Sequence, residues 1–202
     1  MEEGMAEEQE QNPVAAAVSL VAAYDPEHDP AQRAARSAIL TLLADGPCVL
    51  YRSHTEPGHL TASSWIQSPC GEFVLLCFHR QAQRWLQLGG HVDGDGDLVR
   101  AAMREAQEES GIAAFDLVVP GVFDIDIHPI PARGDEPAHF HFDVRFLLRA
   151  RSEEIVCSAE SLELRWVKES SITSVTQEPS ILRMAEKARR VGATRLRGFV
   201  DS

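Results

Sequence analysis

The sequence predicts an α/β protein, a mixed β-sheet between helices with a helical extension at its N-terminus. Three observations lead there. Residues 85–88, WLQL, read as a strand that passes through Gly89-Gly90 into a segment with helical periodicity. Residues 73–79 form a near-continuous apolar run, suited to a strand buried on both faces. Strand-like and helix-like segments also interleave along the chain instead of grouping by type.

In chain order, residues 1–12 carry five glutamates in the first ten positions and no base, so they read as a disordered acidic tail. Residues 14–23 are rich in alanine and valine and suit a short helix, and 24–29 suit a turn. Asp29-Pro30 supplies a cap followed by proline at the first helical position, and an amphipathic helix follows over 31–43, ending near Gly46. Residues 13–55 are therefore expected to form a helical N-terminal extension on a main domain of 56–202.

Within that domain, 59–67 reads as a strand and Pro69-Cys70-Gly71 as a turn. Residues 115–130 supply one or two strands broken at Pro120-Gly121, and 131–137, PARGDEP, an exposed loop. The 140–148 segment alternates and then turns apolar, as a central strand does, and 162–167 is a short strand. A last helix spans 179–190, opened by Pro179 and closed by Arg189, Arg190 and Gly192.

Composition narrows the function. With 202 residues, 44% apolar and 25% charged, the chain can bury one substantial core. The net charge is −12, and without the five N-terminal glutamates it is −7. A body of that sign lacks the electrostatic footprint of a nucleic-acid-polymer binder, but it can take a small phosphate compound if metal ions supply positive charge. Cys48, Cys70, Cys77 and Cys157 form no C-x-x-C pair, which fits reduced thiols in a cytoplasmic setting. The apolar run 13–24 is too short to span a membrane and follows acidic rather than basic residues, so neither a membrane partner nor a signal peptide is expected.

The chemistry concentrates in the helix after Gly89-Gly90. Asp97 can cap it, Gly111 can end it in the left-handed conformation, and Val99, Ala102, Met103 and Ala106 give it a face to bury. Glu105, Glu108 and Glu109 stand at i, i+3 and i+4, within an arc of roughly 100°. Three adjacent carboxylates repel one another unless something neutralises them. A hard, oxygen-seeking divalent cation does so, Mg²⁺ above all where phosphates are bound.

Residues 90–112 resemble the signature of the Nudix hydrolase superfamily, the MutT-like pyrophosphohydrolases, whose pattern is G-x5-E-x7-R-E-U-x-E-E-x-G-U with U a bulky aliphatic. Gly90, Arg104, Glu105, Glu108, Glu109, Gly111 and Ile112 fall at the required spacing. Gly96 replaces the first glutamate, and Ala106 replaces the middle aliphatic. The resemblance implies a Nudix-type α/β/α sandwich over 56–202. It also implies hydrolysis of a diphosphate in a nucleoside diphosphate linked to another group X, by water attack on phosphorus. Glu105 and Glu109 would be the principal ligands of Mg²⁺ or Mn²⁺, with Glu108 completing the set or acting as base. The carbonyl of Gly89 or Gly90 would be a further ligand. Arg104 would orient these carboxylates by pairing with the first glutamate of the pattern; here Asp95 or Asp97, flanking Gly96, could take that part.

Further candidates lie outside the helix. Glu160 and Glu163 are placed for a base supplied from a later loop, or are surface glutamates. His139, His141 and Asp143 share one face of a strand, and His91 and His59 can reach the same pocket if their strands are neighbours. These histidines either contact substrate, serve as satisfied structural residues, or form a second metal site. Arg84 and Arg133 either clamp a terminal phosphate or are solvated. Trp65, Trp85 and Phe140 suit core packing better than stacking on a base. Two alternatives to hydrolysis follow from the departures and the fold. One is a non-hydrolytic ligand sensor, prompted by Gly96. The other is an isomerase resembling isopentenyl-diphosphate isomerase, which would need a cysteine beside its metal. A homodimer is compatible with the sequence.

Overall fold

The computed structural model of the protein describes residues 13–27, 29–159 and 161–200, with side chains to residue 193; the expected acidic tail lies outside the described residues. Helices α1 (Pro13–Ala22) and α2 (Pro30–Leu43) come first. Asp29 begins α2 as its residue type dictates: its carboxylate accepts the Ala31 and Gln32 N–H groups, and Pro30, with no N–H to lose, occupies the first turn.

Eight strands follow, interrupted by one helix and closed by another. They are β1 (Gly58–Gln67), β2 (Phe73–His79), β3 (Arg84–Leu86), β4 (Leu88–His91), β5 (Phe115–Leu117), β6 (Asp124–Ile130), β7 (His139–Ala150) and β8 (Ser161–Lys168). Helix α3 (Leu98–Ser110) lies between β4 and β5, and α4 (Pro179–Val200) ends the chain. The sheet runs β3-β2-β1-β7-β5, with β4 also on β1, β6 also on β7 and β8 also on β2. Among the described residues, only the central β1–β7 pair is parallel, in register from Gly58↔Phe140 to Gln67↔Arg149.

Side-chain alternation on these two central strands divides the interior in two. Leu60, Ala62 and Ile66 of β1 join Phe142, Val144, Phe146 and Leu148 of β7 in a core with residues of α1, α2 and α3. Trp65 and Leu147 face the other way, with Val74, Leu76 and Val167, against Ile181, Met184, Ala185 and Ala188 of α4. The result is a three-layer sandwich. Trp65 is wholly buried, in keeping with a packing role.

Two elements differ from the sequence reading. The expected strand at 85–88 is two short strands with different partners: Trp85 pairs with Phe78 on β2, whereas Leu88 pairs with Ser64 on β1. The last helix passes Gly192 and continues to Val200. An interior glycine costs about 1 kcal/mol, too little by itself to stop a helix that continues into Ala193, Arg195, Leu196 and Arg197, good helix formers.

The α4-facing side of β1, β7 and β6 turns polar at one end. In register across the strands lie the rows His59–His141–His128, Thr61–Asp143–Asp126 and Ser63–Arg145–Asp124. Buried Arg145 donates to Asp143 at 2.7 Å, Asp126 at 3.1 Å and Asp124 at 3.3 Å. From α4, Arg183 and Lys187 reach Asp124 at 2.8 and 2.5 Å. From α2, the Gln32 amide donates to the Ile125 carbonyl at 2.7 Å. Helices from both sides are thereby pinned to the same strand.

Candidate active site

Helix α3 is held by its own ends. Asp97 accepts the Arg100 N–H at 3.0 Å, and Gly111, at φ 72°, returns its N–H to the Gln107 carbonyl at 2.9 Å. Leu98, Ala101, Ala102 and Ala106 are buried toward the sheet, and Ser64 of β1 donates to the Ala102 carbonyl. The small side chain of Ala106, where the family pattern has a bulky aliphatic, is fully enclosed.

This seating brings two of the three glutamates onto the glycine pair. Glu109, buried on the inner side, accepts the Gly89 N–H at 2.8 Å. Glu105 lies so close to Gly90 that a Cβ there would come 2.5 Å from its carboxylate. Any larger residue at 90 would push this carboxylate away. Glu108 is the outermost of the three. Arg104 donates to Glu105 at 2.7 Å and to Glu108 at 3.4 Å, and its other terminal nitrogen donates to the His91 carbonyl at 2.8 Å. One guanidinium thus joins two helix carboxylates to the end of β4.

The expected substitute for the missing glutamate is not found. Asp95 is engaged twice by Arg100, at 2.8 and 2.6 Å, and Asp97 is the helix cap, and neither forms a hydrogen bond with Arg104. The Arg100 hydrogen bonds also hold the Asp95 carboxyl below the usual carboxylate range. At Gly96 a side chain would collide with the Pro13 carbonyl of α1.

The other candidates are dispersed. Glu163, on β8, is paired with Arg165 at 2.6 Å on the surface, and Glu160 lies outside the described residues. Arg84 pairs with Glu178 at 2.9 Å, and Arg133 bridges to Glu136 through its backbone in the exposed loop. Trp85 stacks edge-on to Phe78 beneath the Arg165 guanidinium, and Phe140 is exposed. Cys77 is buried in β2, where burial pushes its thiol up to about 12.

The histidines, by contrast, converge. The His59 ring lies 5.0 Å from His91, 4.9 Å from His139 and 4.8 Å from His141. Burial pushes His59 down to about 4 and His141 to about 3, with the neighbouring imidazoles adding to the effect, so both are neutral at pH 7. His59 stands at the centre because β1 and β7 are parallel neighbours, a pairing across eighty residues that local pattern does not reveal. Sequence reasoning also missed Asp124, Asp126 and Arg145. The alternation in 124–128, DIDIH, was the available signal for a strand with one polar face.

A family model described as the NUDIX domain matches residues 32–188. The chain belongs to the Nudix family. By family it is a pyrophosphohydrolase, an enzyme acting on phosphorus-containing acid anhydrides. Solved Nudix structures share the fold. A NUDIX-family hydrolase from Clostridium perfringens is 24% identical over 66% of this chain and 97% of that one, with a TM-score of 0.50. An Ap4A hydrolase from C. elegans is 17% identical over 67% and 98%, at 0.48. The NUDIX domain of Shewanella oneidensis NrtR, complexed with ADP ribose, is 15% identical over 85% and 96%, also at 0.48. No curated protein matches the chain significantly. Nudix hydrolases in general use divalent metal ions.

Proposed function

We propose that this Nudix protein hydrolyses a diphosphate linkage in a nucleoside diphosphate joined to another group, by water attack on phosphorus. The observation that carries this reading is the seating of Glu105 and Glu109 on Gly90 and Gly89, with Arg104 tying Glu105 and Glu108 to the His91 carbonyl. Glu105, Glu108, Glu109 and a carbonyl of the glycine pair would hold Mg²⁺ or Mn²⁺. When bound, such an ion neutralises phosphate oxygens and acidifies water.

The chain's own residues supply the rest. Glu109 is fixed by the Gly89 N–H and cannot swing out without leaving that donor unpaired. Arg104 offsets the mutual repulsion of Glu105 and Glu108. In hydrolysis the water oxygen bonds to phosphorus, the bridging P–O bond breaks, and the water proton passes to a carboxylate. Glu108, the most exposed of the three, is the group we assign to accept it. The substrate is a small molecule, and a cytoplasmic setting agrees with four unpaired cysteines.

The test is a panel of diphosphate-containing nucleosides and cofactors incubated with Mg²⁺ and separately with Mn²⁺. Phosphate release with and without added phosphatase separates the cleavage patterns. Turnover that chelator abolishes is the expected result. A folded, metal-binding protein inert across the panel would overturn the reading in favour of a ligand sensor, for which no present finding speaks.

A further inference from the structure

The buried histidine cluster at the polar end of the sheet is not used by the chemistry above. Its geometry is specific. The register His59↔His141 sets two imidazoles side by side on adjacent parallel strands, and His139 lies two residues before His141 on the same face. His59 and His139 are buried, at 0 and 4% exposure. Each has its Nδ1 pinned to a backbone carbonyl: His59 donates to His54 at 3.0 Å, His139 to Pro137 at 2.9 Å. These bonds fix the tautomer, so Nε2 carries the bare lone pair in both rings. Both Nε2 atoms are buried without a hydrogen-bond partner.

Two buried lone pairs with no protein donor, brought close together, are costly unless a cation receives them. The donor atoms of His59, His139 and His141 all lie within 4.8 Å of one another. Their ring centres are 4.9, 4.8 and 5.2 Å apart. Three imidazoles bound through nitrogen to one tetrahedral Zn²⁺, at about 2.0–2.1 Å each, have ring centres about 5 Å apart. The backbone carbonyls on Nδ1 are also what a metal-binding histidine needs behind it to hold its ring. Three imidazole nitrogen donors select Zn²⁺ and its late first-row neighbours over Mg²⁺, which demands oxygen.

We propose that His59, His139 and His141 form a zinc-binding site distinct from the glutamate site of α3. The two adjoin through His91, whose ring packs on His59 and His141 while its backbone carbonyl accepts from Arg104. The zinc site spans β1 and β7, so it ties together the parallel pair at the middle of the sheet.

The test strips the full-length protein with chelator and then titrates it with Zn²⁺ or Co²⁺ in excess Mg²⁺. Metal content after gel filtration and the visible absorption of bound Co²⁺ are read. One equivalent of zinc, undisplaced by Mg²⁺, is expected. His59→Ala and His139→Ala should each weaken it by roughly 100-fold or more, the upper range for disrupting a metal site's support. Glu105→Gln and Glu109→Gln should leave its stoichiometry unchanged. X-ray absorption on the zinc-loaded wild type needs no variant and should show imidazole scattering from three histidines. The proposal is overturned if the stripped, folded protein takes up neither metal at micromolar concentration. It is equally overturned if uptake survives in the folded His59→Ala/His139→Ala double variant, or if the absorption spectrum shows no imidazole ligands.

Discussion

Gly96 lies directly beneath the carbonyl of Pro13, so the first turn of α1 occupies the space that a side chain at position 96 would need. In the family pattern this position carries a glutamate. Here α1 and the loss of that glutamate go together: the helix docks where the carboxylate would stand, and Arg104 takes Glu105, Glu108 and the His91 carbonyl as partners instead.

Restoring the family residue is therefore expected to harm the protein. Gly96→Glu should lower stability by about 1–3 kcal/mol, the usual cost of overpacking a filled space, and should bring no gain in turnover. Chemical unfolding and kcat on the same preparation check both parts. A stable variant with raised kcat would contradict this account of Gly96.

Arg145 is buried among Asp124, Asp126 and Asp143, and Arg183 and Lys187 complete the charge balance. Arg145→Met would leave Asp143 as a buried carboxylate with no cation within the strand pair. The expected loss is about 3–5 kcal/mol, as for breaking one side of a buried ion pair, read from denaturant unfolding.

The same network sets an acid limit. Burial alone would raise the Asp126 carboxyl, but the nearby His128 ring, 3.7 Å away, and the Arg145 and Arg183 charges outweigh it and hold the group well below the usual carboxylate range. A carboxyl with a lower pKa folded than unfolded contributes stability above about pH 4 and loses it as pH falls further. Stability should therefore decline below pH 4, and Arg183→Met should flatten that decline. Unfolding midpoints between pH 6 and pH 2.5 provide the check.

Cys77 is enclosed between β-strands and its thiol is pushed up to about 12 by burial, with Glu109 adding to the effect. It should resist iodoacetamide at pH 8 in the folded protein, whereas the exposed Cys48, Cys70 and Cys157 should be alkylated. Mass spectrometry of the labelled protein distinguishes them. A thiol so placed is unsuited to the isomerase chemistry that needs a reactive cysteine beside a metal.

What the sequence made legible was local. Asp29-Pro30 announced α2, and Asp97 and Gly111 bracketed α3, because a cap acts on residues within one turn of itself. The spacing of Glu105, Glu108 and Glu109 placed the carboxylates on one side of that helix for the same reason. What stayed hidden depends on distant pairing. The convergence of His59 with His141 follows from β1 and β7 lying parallel, and nothing within ten residues of either histidine specifies that neighbour. The partition of 84–91 into two strands depends on which strand each half meets. The fit of Gly96 beneath α1 likewise depends on a helix that begins about eighty residues earlier in the chain.

The central claim is that the carboxylates of α3 carry the hydrolysis. Glu109→Gln keeps the shape and the acceptor for the Gly89 N–H but removes the charge. The measurement is kcat for wild type and Glu109→Gln on the best diphosphate substrate at saturating Mg²⁺, with folding confirmed by circular dichroism. A fall of at least about 100-fold in the folded variant is the result expected for losing a group that binds the catalytic metal. Undiminished turnover in Glu109→Gln would contradict the account.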